Sequence, residues 1–397
     1  MQLTARTLIG ACADDSEEAG LLLAAELEPI AGPGSPVKPA SYAGRAQGDP
    51  PRHQIDKRWS EDRPVDVAVI DNVPSQAGRH EAQLDALAAT LGIPSLVLDL
   101  AGLTLPEHLP SSISVFRFAH RHADAYLRDA ELDGMAFLKT PIGRALVQGT
   151  DVNAEPLMQW VPQSLLYGFW MSHLGKKGSQ AKLARSWVSE IVGWEPAALD
   201  TVMLGVKGDP LNLTTTDKVL YDENDTAGWT LTEGEKKSTA AKGKKQEKLS
   251  EIGHGQVPTE SGIAALSFRR ITQRATVSFA GLRRLHFGMP ERNAAGRAVL
   301  VALGLVGHTA AFGRSFSLRS GCDLRPTSQA WTWLGAASDE AVDPLAPAGA
   351  RALFAEVVAA AEATGLPVGG AWRAEPVVLT PNPSLRAAIV ATYPGAE

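Results

Sequence analysis

Residues 270–279, RITQRATVSF, alternate more cleanly than any other stretch of the chain. Side chains along a strand point to opposite faces in turn. Ile271, Ala275, Val277 and Phe279 therefore share one face, and Arg270, Thr272, Arg274, Thr276 and Ser278 share the other. This pattern predicts a half-buried strand with a basic, hydroxylated outer face. Such a face suits a phosphate backbone, because arginine and threonine donate hydrogen bonds to phosphate without reading bases. Arg269, Arg270, Arg274, Arg283, Arg284, Arg292 and Arg297 all lie between positions 269 and 297, where the only acid is Glu291. A run so lightly balanced fits either a solvated face or a polyanionic partner.

A second constraint is residues 162–194, PQSLLYGFWMSHLGKKGSQAKLARSWVSEIVGW. Residues 165–170 read as a strand and 172–180 as a loop carrying Gly175, Lys176, Lys177 and Gly178. A helix is expected from Ala181, with Leu183, Trp187, Val188 and Ile191 as its apolar stripe. Lys182 and Arg185, three apart, would be neighbours on its surface. Strand, basic glycine loop and helix start form a joint where anions bind, because the first turn of a helix presents unpaired N–H groups. The same residues also fit a plain turn with solvated lysines.

The rest of the chain sets limits on these readings. With 397 residues it can bury a sizeable core as one large domain or two ordinary ones. A net charge of -6 argues against a wholly basic nucleic-acid coat, although binding depends on local potential. Cys12 and Cys322 are far apart and signal neither a disulfide framework nor a zinc knuckle, which fits a reducing cytoplasm. No signal peptide is expected. No window approaches the roughly 18 uninterrupted apolar residues of a membrane span, so a soluble protein is expected.

Strands are expected at 65–70, 95–100, 113–118, 316–324 and 376–379, helices at 19–27, 75–91, 120–132, 294–305 and 348–364, and a turn followed by a helix over 135–147. The 294–305 helix would close at Gly307. Residues 31–62, rich in Gly, Pro and Ser, read as a long loop or inserted finger, and the lysine-rich 223–260 as a mobile loop or hairpin tip. His120 and His122 do not share a helix face, so no metal site is expected there. GKKGSQAK lacks the G-x-x-x-x-G-K-[ST] spacing, and neither a nucleophile elbow, a zinc motif nor a dinucleotide fingerprint is present. The weight falls on binding rather than catalysis, with no cofactor. The alternative is a phosphate-substrate α/β enzyme using the basic glycine loop at 175–182.

Six stretches together resemble the crRNA-backbone subunit of the type I-G (formerly I-U) CRISPR Cascade, of the RAMP superfamily. They are VIDNVPSQAGRHEAQL at 69–84, 115–143 through AHRHADAYLRDAELDG, 162–193, HGQVP at 254–258, VSFAGLRRLHF at 277–287 and LRSGCDL at 318–324, and they occur in order. Where that family's first helix commonly runs S-V-Q-S-Q-A-N-R, this chain has Pro74 and Gly78, both poor helix residues, which points to a helix start at Ser75. His286 also departs from a commonly basic position. The resemblance implies an α+β fold: a single RAMP-type domain over 1–397 with an RRM-like (ferredoxin-like) palm, a finger at 31–62 and a thumb within 223–260. Several copies would stack along crRNA, grip its backbone without sequence preference, and present it for pairing with target DNA beside other Cascade subunits, with no membrane partner and no cleavage. Carried over by position, Ser75, Gln76 and Arg79 would face RNA from the first helix. His120 and Arg121 would start the next contact region, Lys176, Lys177, Lys182 and Arg185 would form the basic joint, and Arg270 and Arg274 the strand face. Arg283 and Arg284 would pair with acids at a subunit contact or touch RNA.

Overall fold

The computed structural model describes the chain except residues 45, 47, 48, 50, 173–180, 198–200, 204–210, 212, 214–217, 223, 224, 233–243, 248, 255–260, 264, 373, 374 and 394–397. Lys176 and Lys177 lie outside the described residues. The chain divides into two compact units: residues 1–40, 53–197 and 265–397 form the first, and 41–52 and 198–264 the second.

The first unit is mixed α+β. Its main sheet contains β1 (Gly20–Pro29), β2 (Ile55–Ser60), β3 (Arg63–Asp71), β4 (Trp187–Pro196), β5 (Phe268–Ser278), β6 (Phe316–Arg319), β7 (Cys322–Leu334) and β8 (Glu340–Val342). The order is β6-β7-β1-β5-β4-β3-β2, with β8 also paired to β7, and every pairing is antiparallel. Helices α1 (Ala5–Ala11), α2 (Val73–Leu91), α3 (Pro290–Phe312) and α4 (Pro347–Ala363) share a core with Leu21, Leu23, Trp187, Ala275, Val277, Trp331 and Trp333 of the sheet. A smaller five-stranded sheet sets Val377–Pro381 parallel to Leu96–Asp99 and antiparallel to Ala130–Leu132.

β5 follows the expected alternation, with Ile271, Ala275 and Val277 buried and Arg270 and Arg274 exposed. One inward position is polar. Gln273 stands in a row with Ala25, Ile191 and Asp71 on neighbouring strands, and Gln76 of α2 reaches into that row. Its Nε2 donates to Asp71 Oδ2 at 2.5 Å, and its Oε1 accepts from Gln273 Nε2 at 2.8 Å and Ser189 Oγ at 2.9 Å. A buried polar group is costly unless hydrogen-bonded, so this row favours the register in which Gln76 bridges Asp71, Ser189 and Gln273, although Gln273 Oε1 has no partner among the described residues.

Several local expectations are overturned. The helix expected over 19–27 is absent: residues 20–27 lie in the strand β1, because β5 and β7 hydrogen-bond it on both sides. The helix expected from Ala181 is absent: Ala181–Leu183 is a short strand paired to Phe169–Met171, and Trp187–Pro196 is β4. Residues expected to open a strand at 165 instead end the helix Pro162–Tyr167. Residues 113–118 shorten to the strand Ser112–Ser114 and a 3-10 turn, and 120–132 breaks into a 3-10 turn, the helix Ala125–Arg128 and a strand. α2 begins at Val73, two residues before Ser75. Asn72 caps it by accepting the Ser75 N–H at 3.1 Å, and Pro74 sits in the first turn, where its missing N–H has no partner to lose.

α3 runs on through Gly307 to Phe312 and is buried on nearly every side. Length and composition alone would let it cross a membrane, but 89% of its most apolar window is buried inside the protein. Gly304 explains how closely it packs: a Cβ there would meet the Trp187 ring at 2.3 Å.

The second unit holds the antiparallel strands Asp225–Thr232, Lys218–Asp222 and Lys244–Glu247, and the pair Thr201–Met203 with Ser261–Ile263. The described part of the lysine-rich 223–260 is therefore strand as well as loop.

Candidate nucleic-acid interface

A groove of about 690 Å³ in the first unit is walled by Pro74, Ala77, Gly78 and Glu81 of α2, by residues 116–121, by 167–170 and by 182–185. Local sequence builds each wall. The Ser114 hydroxyl caps the 3-10 turn Val115–Arg117 by accepting the Phe116 N–H. Gly168 turns at φ 77, and a Cβ there would meet the Leu183 carbonyl oxygen at 2.7 Å, so only glycine lets the two segments meet. Beyond that turn, Trp170 pairs with Lys182 across the short hairpin. Trp170 is 54% exposed, and the Lys182 ammonium lies 5.8 Å from its ring centroid.

The charges lining the groove are unequal. Arg117, Arg121, Lys182 and Arg185 stand against Glu81 alone, and counting Asp85, which pairs with Arg117 at 2.9 Å, still leaves an excess of two cations. Arg121 is spent internally. Its Nε and Nη2 donate to the two Glu81 oxygens at 2.6 and 2.8 Å, its Nη1 donates to the Gly168 carbonyl at 2.9 Å, and its guanidinium lies 5.6 Å from the Tyr167 ring centroid. Arg121 adopts φ 56, a left-handed conformation that few side chains accept, and this pairing holds it there. Burial pushes Glu81 up to about 7, with Arg121 acting against that rise. Arg185 is lowered, first by burial and then by the charge of Arg121. Among the described residues neither Lys182 nor Arg185 has an acid within 4.0 Å. These are the free cations of the groove, and His120 is exposed on its wall.

The first-helix trio is placed differently from expectation. Ser75 Oγ donates to Asp71 Oδ1 at 2.8 Å, Arg79 Nε donates to Asp71 Oδ2 at 2.9 Å, and Gln76 is wholly buried. The cause is Asp71, itself wholly buried at the end of β3, which also collects Arg319 Nη2 at 3.0 Å. A buried carboxylate must gather donors, so these side chains turn inward to it and Gln76 has no atom left for a ligand.

Arg270 and Arg274 lie on β5, on the opposite side of the sheet from Gln273 and α2. The Arg270 guanidinium is 4.7 Å from the Trp194 ring centroid. The arginine run at 269–297 separates in space. Arg297 is buried and donates to Asp14 Oδ1 at 2.6 Å and to the carbonyls of Leu285, Cys12 and Arg283. Arg292 bonds Glu155, Arg283 bonds the Glu18 carbonyl, and Arg284 bonds the Gly281 carbonyl. Sequence reasoning missed Arg117, Trp170 and Arg319. An aromatic residue beside a basic loop was the available signal for Trp170, and the LRSGCDL stretch the one for Arg319.

Residues 21–197 match the family model of CRISPR-associated protein GSU0053. Over that span the chain is similar to a CRISPR-associated protein family. All four groove walls, from Pro74 to Arg185, fall inside the matched segment, whereas β5 to β8, α3 and α4 fall outside it. None of the curated proteins matches the chain.

Proposed function

We propose that this chain is a guide-RNA (crRNA) backbone-binding subunit of a type I CRISPR surveillance complex, of the type I-G RAMP kind, working in the cytoplasm without catalysing a reaction. The observation that carries the proposal is the groove: free Lys182 and Arg185 beside the exposed Trp170, within the segment similar to a CRISPR-associated family. Cations and an aromatic face along a groove suit a single strand held by its phosphates, with bases left to pair. Copies would line up along the crRNA, with further Cascade subunits beside them, and present it to target DNA.

Strand order supports an RRM-like palm. β7-β1-β5-β4 is the 4-1-3-2 order of a ferredoxin-like β-α-β-β-α-β unit, with α2 between β1 and β4 and α3 between β5 and β7. The small-phosphate enzyme reading is weaker, since the helix N-terminus it used at Ala181 is a strand.

Binding of a labelled random-sequence RNA across a salt series tests the proposal. Lys182→Ala and Arg185→Ala should each weaken binding to all sequences alike and lower the slope of log K against log salt by about one. Wild-type protein that binds no RNA at low salt would end this reading.

A further inference from the structure

The face of the main sheet turned away from α2 carries a second basic and aromatic hollow, of about 530 Å³, on the first unit. Trp59, Trp194, Arg63, Arg269, Arg270 and Arg274 line it together with Glu61 and Glu195. Its parts are fixed in different ways. Trp194 donates its indole N–H to Thr272 Oγ1 at 2.8 Å and carries Arg270 on its ring, so this side of the hollow is held in place. The Glu195 carboxylate serves Arg63 at 3.2 Å and Arg269 at 3.4 Å. Glu190, the register partner of Arg274 on β4, is drawn instead to Arg58, and Glu26 reaches Arg270 only at 4.0 Å. Among the described residues Arg274 has no acid within 4.0 Å, and it is exposed. Trp59, on the edge strand, is 73% exposed and also borders the adjoining hollow that Arg58, Glu190 and Arg274 line.

We infer that this outer hollow is a second contact for single-stranded nucleic acid, separate from the groove, with Arg270 and Arg274 taking phosphates and Trp59 taking an unpaired base. The inference rests on the nucleic-acid reading of the groove. Separateness follows from the topology. The groove is walled by α2, whose Gln76 meets the inward row of the sheet, while Arg270, Thr272 and Arg274 point the other way from Gln273. A strand lying in the groove reaches the hollow only by passing round an edge of the sheet. Arginines that track a backbone beside an exposed aromatic that stacks bases are the two components of a sequence-tolerant single-strand site.

The test uses the full chain and an excess of a hexanucleotide of uridine or deoxythymidine, so that each place can take its own copy. Calorimetric titration should give two hexanucleotides per chain. The double variant Arg270→Ala, Arg274→Ala should keep only the groove site, and Lys182→Ala, Arg185→Ala only the outer one. In that second background Trp59→Ala should weaken the remaining site at least about fivefold and Trp59→Phe should restore most of it. Trp59 is exposed, so its loss leaves the fold intact, which an unchanged melting curve would confirm. A single hexanucleotide per chain, lost with the groove pair alone, would overturn the inference while leaving the proposed function standing. So would variants of Arg270, Arg274 or Trp59 that alter self-association in sedimentation without altering oligonucleotide binding. No binding by the wild type at all would end both readings.

Discussion

Gln76 and Lys182 show how little a residue's type says about its role. Both are implied RNA contacts, yet one is wholly buried and the other is exposed over Trp170. Gln76→Ala leaves Asp71 and Gln273 short of partners inside the core, and each unsatisfied buried group costs about 1–3 kcal/mol. The expected result is a loss of roughly 2–4 kcal/mol in urea unfolding, against no more than about 0.5 kcal/mol for Lys182→Ala. Equal midpoints for the two variants would contradict the assigned hydrogen bonds. Arg121→Ala should likewise destabilise, by about 3 kcal/mol, because it strands buried Glu81. RNA binding lost in that variant would report a damaged groove wall and not a lost contact. The Gln273 position was legible in the sequence, as a polar residue in the inward phase of an otherwise apolar face. Its partner was not, since nothing local links residue 273 to residue 76.

At the scale of elements, period decided correctly where one face was buried and failed where two patterns overlapped. Leu183, Trp187, Val188 and Ile191 satisfy a helical stripe, but Trp187, Ser189 and Ile191 are the buried phase of a strand, and the inward serine disguised it. β1 was obscured differently: Leu, Ala and Glu favour helix, and hydrogen bonding to strands on both sides overrides that preference. Two glycines in helices separate packing from propensity. Gly304→Ala gains helix propensity but drives a methyl group into the Trp187 ring, and overpacking of 1–3 kcal/mol exceeds a gain of about 1 kcal/mol, so the melting temperature should fall. Gly78→Ala meets nothing within 4 Å on α2 and should stabilise by about 0.5–1 kcal/mol. If Gly304→Ala raises the melting temperature as Gly78→Ala should, the close approach of α3 to β4 is wrong.

For the whole molecule, buried histidines set the response to acid. Burial holds His122 and His308 near 3, with Arg121 adding to the effect at His122, and burial also holds His80 well below its ordinary value with His308 adding to it. The unfolded chain takes up protons at these sites below about pH 6.5 that the folded chain refuses. Stability therefore falls as pH drops, by about 1.4 kcal/mol per unit for each histidine. Glu81 acts in the opposite sense, since its raised value makes the folded state the better proton binder between about 4.5 and 7. Two histidines against one carboxylate, with His80 on the same side, leave a net loss of at least about 1.4 kcal/mol per pH unit below 6.5. The urea midpoint should decline from pH 7 to pH 5, and less steeply in His308→Phe; a flat wild-type profile would refute this. What the sequence by itself determined is whatever depends on period and neighbouring chemistry: the basic outward face of β5, the helix of α2 and the helix of α4, with the mixed α+β class coming from the family resemblance. Which cations remain free to meet a polyanion only the tertiary structure decided, because their competitors arrive from elsewhere in the chain. Glu81 takes Arg121 across 40 positions and Asp14 takes Arg297 across 283, leaving Lys182, Arg185 and Arg274 to the solvent.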